Sequence, residues 1–211
     1  VPSCIEFKEN SSKMNKMMPK KIKKKIEKYE KQAWVCYIGS VNYNRNPEFL
    51  IKFAESLSRC NIDAGVMIFG TAKNENTMQV FRSKAKESDA SRSIMINDPV
   101  REEILPLVIQ QCDVGISPIP PGKVYNVSSP LKPLEYVNAG LPVVSTKIPD
   151  VVKLSQNCSA IYTTEYKVDD FIRKTVELLR DRPSVNNCYK FLRSKRSLSK
   201  ATQKWDYILS R

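Results

Sequence analysis

Residues 128–145 read SSPLKPLEYVNAGLPVVS, which is a loop, a helix and a strand in eighteen positions. The helix is expected over 131–139, closed by Gly140, because a glycine just past the last turn tolerates the left-handed conformation that ends helices. PVVS at 142–145 is a short apolar run of the kind that forms a strand buried on both faces. The same alternation extends in both directions. Upstream, strands are expected at 33–39 (AWVCYIG), 64–70 (AGVMIFG), 93–96 and 113–117 (DVGIS), with helices at 46–58, 76–87 and 101–111 between them. Asn46-Pro47-Glu48 opens its helix with a cap residue, a first-turn proline and an acid near the positive end of the dipole. Pro106 requires the 101–111 helix to kink or to start late. Downstream, a helix at 149–154, a strand at 160–162 and a helix at 168–179 continue the series. Short apolar strands alternating with longer helices make βαβ units. Right-handed crossovers then give a doubly wound, Rossmann-like parallel sheet with helices on both faces.

At 211 residues the chain suits one sizeable α/β domain. Its organisation divides into 1–32, a linker and basic helix; 33–182, the sheet domain; and 183–211, a C-terminal helical arm with two segments, the last centred on Trp205. Residues 1–18 read as a loop. The start, Val1-Pro2-Ser3-Cys4, has neither an initiator Met nor the basic-then-apolar pattern of a secretion signal, which suggests a piece of a longer protein. No apolar run approaches the ~20 residues that a membrane-spanning helix needs. Of the formal charge of +13, nine lysines against two glutamates between Lys13 and Lys31 contribute +7. Ile22, Ile26 and Tyr29 recur there at helical spacing behind Pro19, predicting a short helix with lysines on its outer face. Six cysteines without CxxC spacing and a complete lack of histidine give no zinc pattern and no imidazole proton shuttle. Cys36 and Cys112 fall in or beside apolar stretches, so all six are read as free thiols, which points to a cytoplasmic compartment.

Ligands of doubly wound sheets sit beyond the carboxyl ends of the strands, near the switch point. That rule selects the loops at 39–46, 70–74, 97–100, 117–130 and 145–149. The longest, SPIPPGKVYNVSSP, ends in Ser128, Ser129 and Pro130 and leads directly into the helix. A helix start offers unpaired N–H groups and partial positive charge, two serines add hydroxyl donors, and Lys132 adds a full charge. Glu135, about one turn in, is placed to accept from a pair of hydroxyls such as a ribose diol. Phosphate donors beside a diol acceptor describe a nucleotide site. Across from it, Gly39 and Ser40 permit close backbone approach, and Arg45 is suited to grip phosphate oxygens.

The 128–145 stretch closely resembles the donor-site signature of family-4, group 1 type glycosyltransferases, retaining enzymes of the GT-B fold. YIGSVNYNRNPEFLIKFAESL, VMIFG and CDVGISPIP resemble the first strand–loop–helix, second strand and fourth strand of their C-terminal domain. Residues 1–7 resemble the interdomain linker, and KWDYILSR the closing helix. The resemblance implies a nucleotide-sugar donor domain of an enzyme that transfers a hexose with retention, without its acceptor-binding N-terminal half. Glu135 matches the second glutamate of the two-glutamate motif and would hold the ribose. Ser128, Ser129, Pro130 and Leu131 would hold the diphosphate, with Arg45 and Lys132 neutralising it. Gly39 and Ser40 would approach the phosphates, and the 97–100 loop with Asp98 would border the base. The sequence departs from the family pattern at Val127, where many relatives carry the first glutamate, and at Ser40, often arginine. No metal or other cofactor is expected. An anionic membrane surface is a further partner that the basic helix suggests; no motif for specific nucleic-acid binding is present. The alternatives are a catalytically inactive or non-enzymatic module binding a nucleotide or an anionic partner, and an enzyme of different chemistry on the same scaffold, such as an epimerase.

Overall fold

The computed structural model describes residues 3–6 and 18–199. Its centre is a six-stranded, all-parallel sheet in the order β3-β2-β1-β4-β5-β6, with β1 Ala33–Ser40, β2 Ala64–Thr71, β3 Ile94–Asn97, β4 Val114–Ser117, β5 Val143–Thr146 and β6 Ile161–Thr164. The helices are α1 Lys20–Tyr29, α2 Glu48–Ser58, α3 Glu75–Glu87, α4 Leu105–Ile109, α5 Lys123–Asn126, α6 Lys132–Asn138, α7 Pro149–Ser155, α8 Val168–Arg180 and α9 Asn186–Arg196. The doubly wound architecture and the C-terminal helical arm follow the sequence reading, α9 being the described part of that arm. The segment centred on Trp205, and residues 7–17 of the expected loop, lie outside the described residues.

The two-residue period of the strands explains how both sheet faces are buried. Trp34, Cys36 and Ile38 of β1 point into one apolar layer, joined by side chains of α1, α4, α6, α7 and α9. Val35 and Tyr37 point into the other, filled by α2, α3 and α8. The chain winds outward from β1 to β3, then crosses on the opposite face through α4 to place β4 against the free side of β1. Pro106 delays α4 as the sequence requires, standing in its first turn and leaving 101–104 non-helical. Asn46 does not cap α2 with its side chain; it takes a left-handed conformation, φ 49°, after a 3₁₀ turn at Tyr43–Arg45. Gly140, at φ 90°, ends α6 as expected.

Helix α1 covers an exposed sheet edge. The Lys25 ammonium donates to the Ile96 carbonyl and Asn97 Oδ1, and Tyr29 donates to the Ile94 carbonyl at 3.0 Å. These bonds satisfy carbonyls of the edge strand β3 that have no neighbouring strand to bond. Partial burial, with Arg82 nearby, lowers the pKa of Lys25. Lys20, Lys21, Lys23, Lys24 and Lys28 remain exposed on the outer face.

Cysteine usage departs from the expectation of six free thiols. Cys158 and Cys188 form a disulfide, Cα–Cα 4.6 Å, between the residues just after α7 and the first turns of α9. Thirty residues of sequence separate them, and the spacing rule used on the sequence does not detect such pairs. Cys36, Cys60 and Cys112 are free thiols, and burial pushes the Cys112 thiol up. The compartment inferred from free thiols alone loses its basis. Among the described residues no helix is long and apolar enough to cross a membrane.

Candidate functional site

The switch point lies between β1 and β4, which pair only at Val35–Val114 and Cys36–Gly115 before diverging. A single buried side chain spans the opening. Tyr136, with no exposed surface, accepts from the Ile38 N–H at 2.9 Å and donates to the Ile116 carbonyl at 3.4 Å. Its ring occupies the space that a side chain at position 115 would need: a Cβ on Gly115 would stand 2.6 Å from the ring. Tyr136 therefore joins two strands that no longer reach one another, and it forms the floor beneath the divergence. Burial raises its pKa strongly, so it acts as a neutral hydrogen-bonding group.

Above this floor is a cleft of about 520 Å³. Gly39 and Ser40 end β1 on one side, and Ser117 and Pro118 end β4 on the other. Of the ten residues singled out in the sequence, nine line this cleft: Gly39, Ser40, Arg45, Ser128, Ser129, Pro130, Leu131, Lys132 and Glu135. Asp98 does not. It pairs with Arg82 at 2.7 Å and Lys21 at 3.8 Å beyond the end of β3. Val127 is 87% exposed and does not line the cleft either.

Electrostatically the cleft holds two cations and one carboxylate, and all three already have partners. The Arg45 guanidinium lies 4.6 Å from the centroid of the Tyr125 ring. Tyr125 stands on α5, a short helical turn within the long loop that sequence reading left irregular. Its hydroxyl donates to the Asn44 carbonyl at 3.4 Å, so α5 reaches across to the loop after β1. Lys132 Nζ and Glu135 Oε2 are 2.5 Å apart, a pair one helical turn long with both groups partly exposed. The two serine hydroxyls are not the free donors expected from the sequence. Ser128 donates to the Tyr125 carbonyl at 2.7 Å, and Ser129 donates to Asp150 Oδ2 at 2.6 Å. The backbone is different. Among the described residues the N–H groups of Ser129, Leu131 and Lys132 have no acceptor, as the first turn of a helix dictates. The donors available to a ligand are thus amides rather than hydroxyls.

Sequence reasoning missed Tyr37, Tyr125 and Tyr136. Tyr37 donates to the Ser40 carbonyl at 2.7 Å and fixes the end of β1; burial raises its pKa. Only Tyr136 left a trace in the sequence, as the aromatic beside Glu135 on a helix that must turn its neighbours inward. It also missed Ser3, Asp150 and Arg196, which meet at Ser129 from three distant parts of the chain.

The family model for glycosyl transferases group 1 matches residues 32–181. Among solved structures, the C-terminal domain of the glycosyl transferase group 1 protein LpcC from Francisella tularensis superposes with a TM-score of 0.64 at 16% identity, covering 82% of this chain and 91% of that one. HepE from Anabaena, solved with UDP and glucose, gives 0.68 at 14% identity over 90% of this chain and 51% of its own. The trehalose-6-phosphate phosphatase N-terminal domain from Candida albicans gives 0.70 at 11% identity over 100% and 49%. At such identities the likeness is one of fold, and the chain spans about half of the last two proteins. No curated protein sequence matches it.

Proposed function

Since the chain belongs to the group 1 glycosyl transferases, we propose that its cleft binds the nucleoside diphosphate of a sugar donor, as the donor half of a retaining hexosyltransferase. The observation that carries this reading is the convergence on one cleft of three unpaired amides, two cations and a carboxylate. In this reading the amides of Ser129, Leu131 and Lys132 hold pyrophosphate oxygens, with Arg45 approaching from the opposite wall. Glu135 accepts from the ribose hydroxyls. As the glycosidic bond breaks, negative charge grows on the diphosphate. Pre-aimed donors then stabilise the transition state more than the ground state. Charge balance comes from side chains and amides, without a bound metal.

Val124, which lines the cleft, is an apolar side chain left 76% exposed. An exposed apolar group at that place fits coverage by an acceptor-binding half. A thermal-shift panel of UDP, GDP and ADP tests donor binding. One of the three raises the melting temperature at millimolar concentration; no shift with any of them refutes the reading.

We also infer that the domain rests against an anionic membrane surface through the outer face of α1. Five exposed lysines on one short helix support this, each contributing about 1 kcal/mol near an anionic surface. Replacing Lys20, Lys21, Lys23, Lys24 and Lys28 with glutamine abolishes co-sedimentation with phosphatidylserine vesicles at low salt. Equal sedimentation of the variant, or binding to phosphatidylcholine alone, rejects the membrane role.

A further inference from the structure

Ser129 lies at the junction of four segments that are far apart in sequence. Its hydroxyl accepts from the Ser3 N–H at 2.9 Å and from Arg196 Nη1 at 3.2 Å, and donates to Asp150 Oδ2 at 2.6 Å. Its carbonyl accepts from the Ser3 hydroxyl at 2.5 Å. Every hydrogen-bonding position of that side chain is used. Arg196 supplies the fork: Nη2 meets Asp150 Oδ1 at 2.5 Å while Nη1 reaches both Ser129 and the Ser3 carbonyl. The Arg196 and Asp150 side chains are only 9% and 19% exposed. Desolvating an ion pair offsets much of its attraction, so a nearly buried pair is poor evidence for a role in stability. It is better explained by the one geometry that it enforces.

That geometry concerns the cleft. Ser129 begins the turn whose unpaired amides belong to residues 129, 131 and 132, all three of which line the cleft. The turn contains Pro130, which has no N–H, and the Ser128 N–H is engaged at 3.1 Å by Tyr125. The Ser128 hydroxyl donates to the same Tyr125 carbonyl and the Glu135 N–H donates to the Leu131 carbonyl, so those bonds tie the two ends of the turn. Between them, Ser129 is held by Ser3, Asp150 and Arg196. The backing comes from the end of α9, where Ile5 pairs in parallel with Ser197 and donates to the Arg196 carbonyl at 3.0 Å. The Cys158–Cys188 disulfide fixes the opposite end of the same helix. Helix α9 is thus braced against the α7 region at both ends, once covalently and once by the ion pair.

We propose that Arg196, together with Asp150, is a positioning residue that aims the 129–132 turn at the donor's diphosphate, so that phosphate binding depends on the C-terminal arm. The inference rests on the donor-site reading above and adds to it a group outside the cleft. Lysine cannot replace the guanidinium, because a single ammonium does not present two parallel donors to two acceptors.

The experiment compares each diphosphate with its parent nucleoside on the whole chain: UDP with uridine, GDP with guanosine, ADP with adenosine. Ligand-observed NMR gives the affinities for wild type, Arg196→Lys and Ser129→Ala. The second variant leaves the ion pair in place and serves if the first does not fold. In both variants the diphosphate binds about tenfold more weakly, equivalent to ~1.4 kcal/mol, while nucleoside affinity stays within about twofold. A staple that merely holds the fold together would lower both affinities in parallel, and that result overturns the proposal. Unchanged diphosphate affinity overturns it as well. A wild-type chain that binds no diphosphate removes the donor-site reading itself, and this inference with it.

Discussion

Tyr136→Ala unfolds the protein at a markedly lower temperature than wild type. The ring is fully buried and sits against Gly115. Truncating a buried aromatic to alanine costs about 3–5 kcal/mol. The hydroxyl adds its own contribution, since without it the Ile38 N–H has no acceptor in the gap between β1 and β4. Tyr136→Phe isolates that loss and costs about 1–3 kcal/mol, the penalty of a buried donor left unpaired. In a domain of this size roughly 3–5 kcal/mol lowers the melting temperature by about 6–20 °C. A double-mutant cycle with Gly115→Ala tests the packing. Alone, that substitution drives a Cβ to 2.6 Å from the ring and destabilises by about 1–3 kcal/mol through overpacking. Behind Tyr136→Ala the same methyl enters vacated space and becomes neutral or stabilising. Urea unfolding midpoints measure all four proteins. Additive losses would mean that the two residues do not share the space assigned to them.

The pair also shows where sequence reading stopped. The order of strands and helices was legible because each strand is a short apolar run and each helix has a start or stop signal. Pro106, Gly140 and the run at 142–145 are examples. The cleft was legible because the switch-point rule acts on topology, and topology follows from that order. Contacts between distant segments were not legible. Nothing near Gly115 in the chain announces a tyrosine ring from position 136, and Arg196 reads as one more surface charge in a basic tail. Local spacing also overstated the hydroxyls of Ser128 and Ser129, because it could not show Tyr125 and Asp150 waiting as acceptors. Asp98 was drawn into the site by its position after a strand, yet Arg82 holds it elsewhere. β3 is the edge strand, and its loop lies two strands away from β1 and the cleft.

Glu135→Ala abolishes the thermal shift produced by a nucleoside diphosphate but does not weaken inorganic pyrophosphate. In the proposed donor site this division follows from the pairing of Glu135 with Lys132. Binding a donor must separate them, the cation turning toward phosphate and the carboxylate toward the ribose. Removing the carboxylate therefore has two opposed effects. The hydroxyls of the ribose lose a charged acceptor, an interaction of about 1.5–3 kcal/mol. That corresponds to roughly 10–150-fold in affinity. Lys132, meanwhile, is released from its pair and meets a phosphate without first giving up a carboxylate. Pyrophosphate, which has no ribose, experiences only the second effect and binds the variant at least as tightly as wild type. Glu135→Gln lies between, retaining an acceptor oxygen without the charge. Titration of the three proteins with pyrophosphate and with the stabilising diphosphate checks the assignment. If pyrophosphate binding falls together with nucleoside diphosphate binding, Glu135 supports the turn rather than the ribose. A variant that keeps the full diphosphate shift would show that the carboxylate does not touch the nucleotide, and the ribose would have to be held from another wall of the cleft.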